Sequence, residues 1–206
     1  MKKITFTLLI TLVSLNKIHS QNTTEILIST GLAVLSFVAF NSDKKAIAKE
    51  ISQFRSKEYI IDCIIGPSNS KEIRFETESL ASDDSAGLIS VAFNCNVVEK
   101  KGLLLAFFGN NRDTNGTISK AYDFRYIPLL ETQKLLKRID DVKGKHKKYM
   151  KSENDVNNVY IEHENIKFIL YRDGGDKIRV LWNGFEVIWE RTAFDRTKRR
   201  LDKWFK

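Results

Sequence analysis

Residues 177–190 read KIRVLWNGFEVIWE. Asn183-Gly184 between two apolar runs is a hairpin signal, because a two-residue type I′ turn needs positive φ at both central positions. Such a turn sets Trp182 opposite Phe185, Val180 opposite Val187, Ile178 opposite Trp189 and Lys177 opposite Glu190. Each cross-strand pair contributes about 0.2–1 kcal/mol. Upstream, KFILYR (167–172) joins through DGGD (173–176), so residues 159–191 predict an antiparallel meander with most of its aromatic mass on one face. Phe168, Leu181 and Ile188 are expected on the opposite face, which would then also be partly covered.

After the meander, TAFDRTKRRLDKWFK (192–206) predicts an amphipathic helix packed on the sheet. Thr192 and Asp195 have capping-box spacing, and Phe194, Leu201 and Trp204/Phe205 lie near one face. Before the meander, Pro128 opens a helix at its first turn, where a missing N–H is harmless. Leu129, Leu135, Leu136, Ile139 and Val142 form its apolar side, and Gly144 should weaken or end it.

Residues 58–127 read as strands. EYIIDCII (58–65) stops at Gly66-Pro67, and KEIRFETESL (71–80) alternates apolar and polar positions. LISVAFNCNVV (88–98) and GLLLAFFG (102–109) are joined by a hairpin connection, and TISKAYDFRYI (117–127) follows the loop NNRDTNG (110–116). Successive hairpins predict an α+β fold with a mostly antiparallel sheet, a long middle helix and a C-terminal helix.

The N-terminal residues bear on location. Met1-Lys2-Lys3, the uncharged run ITFTLLITLVSL (4–15) and Ser20 have the layout of a secretory signal peptide, 1–20, in bacterial style. A second charge-free window, 26–42, holds seventeen residues, at the lower edge of what a membrane helix needs. It is followed by Lys44, Lys45, Lys49, Arg55 and Lys57, a basic flank that prefers the cytoplasmic side. Ile47, Ile51 and Phe54 at i, i+4, i+7 predict an amphipathic stalk. The organisation is therefore a signal peptide, an apolar helix with stalk over 21–57, and a globular domain over 58–206. Two locations stay open for it: anchored at the inner membrane, which is favoured, or exported and soluble in the cell envelope.

No phosphate loop, dinucleotide fingerprint, zinc-protease helix or nucleophile elbow occurs, and no cofactor is expected. Glu162, His163 and Glu164 are consecutive on a strand, so their side chains diverge. Cys63 and Cys95 form no C-x-x-C pair, and Asp83-Asp84-Ser85 reads as a solvated loop. Charge is more informative in a chain of 206 residues with formal charge +8. Residues 58–100 carry net −5, 134–151 carry +6 and 191–206 carry +5. The candidate contacts with an anionic surface are Lys145, Lys147, Lys148, Arg196, Arg199, Arg200, Lys203 and Trp204. No nucleic-acid recognition motif accompanies them. These residues predict a non-enzymatic, membrane-associated binding or scaffolding module facing a lipid surface or an envelope protein. The alternatives are a soluble exported ligand- or protein-binding domain and, less favoured, an enzyme whose site carries no motif.

Overall fold

The computed structural model describes residues 44–67, 72–83, 86–151 and 156–206, all within one unit, Leu35–Lys206. The expected signal peptide (1–20) and apolar helix (26–42) lie outside the described residues. Among the described residues no helix is long and apolar enough to cross a membrane.

The chain is a mixed helix-and-sheet fold with an eight-stranded antiparallel sheet. A first helix, α1 (44–65), precedes β1 (Glu76–Asp83), β2 (Leu88–Cys95), β3 (Lys100–Arg112) and β4 (Ile118–Pro128). Helix α2 (Leu129–Lys145) follows, then β5 (Val159–His163), β6 (Ile166–Arg172), β7 (Asp176–Trp182), β8 (Phe185–Glu190) and α3 (Arg191–Trp204). The pattern is four strands and a helix, twice. The strand order is β1-β2-β3-β8-β7-β6-β5, with β4 on the other edge of β3.

Strand β3 joins the two halves. Its first part pairs with β2, and β8 meets it at Asn111↔Phe185. Register puts Ile89, Val91, Leu104, Ala106, Phe108, Tyr122 and Phe124 on one face of the first meander. Helix α1 covers that face: the rings of Tyr59 and Phe124 lie 5.1 Å apart, and Lys100 donates to the Ile64 carbonyl. Ser90, Leu105 and Phe107 point the other way. There Phe107 meets Trp182 and Phe185 of the second meander, at centroid distances of 4.9 and 6.0 Å. On the same side the hydroxyls of Ser90 and Thr197 lie 2.6 Å apart. With both faces covered, β2 and β3 are near-continuous apolar runs rather than alternating ones.

The Asn183-Gly184 hairpin has the register expected from the sequence at all four pairs, from Lys177↔Glu190 to Trp182↔Phe185. Asn183 and Gly184 have φ of 46° and 80°. A Cβ on Gly184 would stand 2.3 Å from the Arg112 carbonyl oxygen, so glycine is needed for the close approach as well as for the turn.

Several expectations are corrected. EYIIDCII is helix, not strand: α1 continues to Ile65 and ends where Gly66 turns to φ 74°. Phe54 does not belong to the buried face of α1; it is 67% exposed. The cause is a π-turn over Ile51–Arg55, which adds a residue and brings Ser56 onto the Ile47, Ile51, Ile60, Ile64 side. Phe168 lies on the aromatic face, opposite Val180. The β6–β7 connection holds three residues, Asp173 to Gly175, not the four of DGGD, and a one-residue change flips the face. Thr192 does not cap α3, because the helix starts at Arg191 with Glu190 as an extended N-cap lacking a side-chain hydrogen bond. Glu164, expected on a strand with Glu162 and His163, instead lies in the β5–β6 turn at φ 51°.

Candidate functional site

Helices α2 and α3 lie against each other. Asp140 of α2 pairs with Lys198 of α3 and stands 3.6 Å from Lys143, whose ammonium is 4.8 Å from the centre of the Phe194 ring. The hydrogen bond to Asp140 raises the pKa of Lys198. The contacts run antiparallel, with 143 beside 194 and 140 beside 198. Ala193, Phe194, Thr197 and Leu201 bury the inner side of α3. Arg196, Arg199 and Lys203, at i, i+3, i+7, therefore share its outer side.

These three side chains are exposed and have no carboxylate partner among the described residues. The same holds for Lys145, Lys147 and Lys148 at the end of α2, where cations also complement the helix dipole. Arg200 differs: it donates to the Ser79 and Leu80 carbonyls of β1 at 3.0 and 3.2 Å. Trp204 and Phe205 are half-buried and stack edge-on at 4.7 Å at the C-terminal end of α3, three and four residues past buried Leu201. Three other helix cations are paired with carboxylates, Lys134 with Glu131, Lys137 with Asp141 and Arg191 with Asp195.

The histidine, cysteine and acidic side chains of the sequence candidates are dispersed. Tyr160 donates to Glu162 on the outer side of β5, and Glu164, in the turn, pairs with Arg125. Burial pushes the His163 imidazole down; Glu131 opposes this, and Arg125 and Arg138 reinforce it. The Cys63 thiol is pushed up, first by burial and then by Asp62 and Asp123, which reduces the thiolate a nucleophile needs. Cys95 is buried and donates to the Arg74 carbonyl at 3.5 Å; both cysteines are free. No hydrogen bond links either thiol to His163 among the described residues. Asp84 and Ser85 lie outside the described residues. Among the described residues no group of three or more His, Cys, Asp or Glu is placed to hold a metal ion.

Two features carry little local sequence signal. The first is Asp123, 4% exposed, which accepts from the Phe124 N–H at 2.7 Å and from Asn183 Nδ2 at 2.7 Å. Burial pushes its carboxyl up to about 6, against those two hydrogen bonds. The second is an open cleft of about 690 Å³ between the tip of the β3–β4 hairpin and the outer face of β6–β8. Leu181 and Ile188, outward by register, mark its floor. Its overhanging wall comes from residues about seventy positions away, which no local pattern announces.

Comparison with protein-family models, curated proteins and solved structures gives no match to this chain.

Proposed function

We propose that this protein is a non-enzymatic, membrane-associated binding module of the cell envelope. A signal peptide over 1–20 directs it there, an apolar helix over 26–42 holds it, and the outer side of α3 meets an anionic lipid surface. The observation that carries this reading is the stripe Arg196, Arg199 and Lys203, exposed and without carboxylate partners among the described residues. Two half-buried aromatic rings, Trp204 and Phe205, follow at the C-terminal end of the same helix. Cations beside half-exposed aromatic rings suit the headgroup region of a bilayer.

Each basic side chain near such a surface contributes about 1 kcal/mol, so three give up to roughly a hundred-fold in affinity. The full chain should bind phosphatidylglycerol vesicles more tightly than phosphatidylcholine vesicles. That excess should fall with added salt and should disappear in the triple variant Arg196→Ala, Arg199→Ala, Lys203→Ala. Equal binding to both vesicle types would overturn the reading.

A second reading, a soluble exported ligand-binding domain, is favoured by the cleft on the opposite side of the second meander.

A further inference from the structure

The geometry points to the cleft between the β3–β4 hairpin tip and the β6–β8 face as a binding site for an amphipathic organic anion, one charged head on an apolar body. This inference does not rest on the lipid-surface reading, because α3 packs on the other face of the same meander: Phe194 lies 5.2 Å from Trp189, an inward residue.

Shape comes first. The cleft, about 690 Å³, falls in the range of small-molecule sites, roughly 300–1,000 Å³. It is preformed. The Arg112 N–H donates to the Gly184 carbonyl at 2.9 Å, and Asn111 Nδ2 donates to the Asn183 carbonyl at 2.7 Å. The hairpin tip is closed on itself, with the Asp113 N–H donating to the Thr117 carbonyl at 3.0 Å. A wall held in this way need not be ordered by the ligand, which lowers the cost of binding.

Charge gives the class of ligand. The cleft is lined by two carboxylates, and both are engaged. Glu186 lies 3.3 Å from Arg179, and Asp113 accepts from the Asn115 and Thr117 N–H groups at 2.9 and 2.8 Å. Two cations, Arg112 and Lys167, are exposed and have no carboxylate partner among the described residues. The uncommitted charge in the cleft is therefore positive. Between these cations the outer sheet face carries Leu181 and Ile188, half-buried, and Ile118 stands 56% exposed on the hairpin. An apolar body laid on these three side chains removes hydrocarbon surface from water, and its head then lies within reach of Arg112 and Lys167.

Decanoate is the probe, and decanol, the same chain without the charge, is its control; both are titrated calorimetrically into the full chain. One decanoate per chain is expected, bound at least tenfold more tightly than decanol. That advantage should be lost in Arg112→Ala with Lys167→Ala, and Ile188→Asp should abolish binding of both probes. These positions are exposed or half-exposed, so the variants keep the fold, as their circular dichroism should record. The absence of saturable one-to-one binding, equal binding of decanol, or decanoate binding unchanged in the double cation variant would each overturn the proposal. The triple variant of α3 should bind decanoate like the parent, which separates this site from the lipid-facing stripe.

Discussion

Asp123 and Asn183 meet where the second meander docks on the first, and their hydrogen bond has a pH signature. The Asp123 carboxyl is pushed up to about 6 by burial, so between roughly pH 4 and 6 the folded chain holds a proton that the unfolded chain has released. Raising the pH through that window therefore costs stability, about 1.4 kcal/mol per pH unit. In Asp123→Asn this cost is absent. In urea titrations its stability relative to the parent should rise from pH 4 to pH 6.5 and stay level above; a difference constant with pH would show that Asp123 carries no such burden. Asn183-Gly184 was readable because turn type and register follow from two adjacent residues. The partner of Asn183 was not readable, since Asp123 lies sixty positions away. The misplaced Phe168 marks the same limit: its face depended on whether the glycine loop holds three residues or four, and DGGD is compatible with both.

Helix α1 shows what a regular period misses. A period of 3.6 residues per turn puts Phe54 inside with Ile47 and Ile51, whereas the buried side steps from Ile51 to Ser56 across a π-turn. The Ser56 hydroxyl tolerates this burial because it donates to the Ser52 carbonyl at 2.8 Å. A second π segment, Ile60–Ile65, keeps Ile60 and Ile64 against the sheet. Two substitutions separate the observed helix from the regular one. Ile60→Ala, at a fully buried position, should lower stability by about 2–4 kcal/mol. Phe54→Ala should change it by no more than about 0.5 kcal/mol, although a regular helix would give Phe54 the larger cost. Thermal unfolding of the two variants decides between them. The other helices were legible as elements because Pro128 marks the start of α2 and the apolar spacing of α3 holds. The basic stripe of α3 was legible for the same reason. What the sequence did not reveal is that Arg200 is engaged with β1.

Across the whole described unit, α2 and α3 each send one arginine to an edge strand of the half they do not follow. Helix α2 succeeds the first four strands, yet its Arg138 donates to the Glu162 carbonyl of β5 at 3.0 Å. Helix α3 succeeds the last four, yet its Arg200 reaches Ser79 and Leu80 of β1. Strands β1 and β5 are the two ends of the sheet path, where unpaired backbone groups invite another strand. The variant Arg138→Ala with Arg200→Ala should self-associate at about tenfold lower concentration than the parent, a change worth about 1.4 kcal/mol, when followed by sedimentation velocity. Identical sedimentation would mean that these guanidiniums do not guard the edges. None of this exchange was legible beforehand, because it joins residues 24 and 121 positions apart. It also orders events in time. On the ribosome β1 emerges long before α3, which follows all eight described strands. The first edge of the sheet therefore waits, uncovered, for a helix that has not yet been translated, so the growing chain cannot lock into its final shape early.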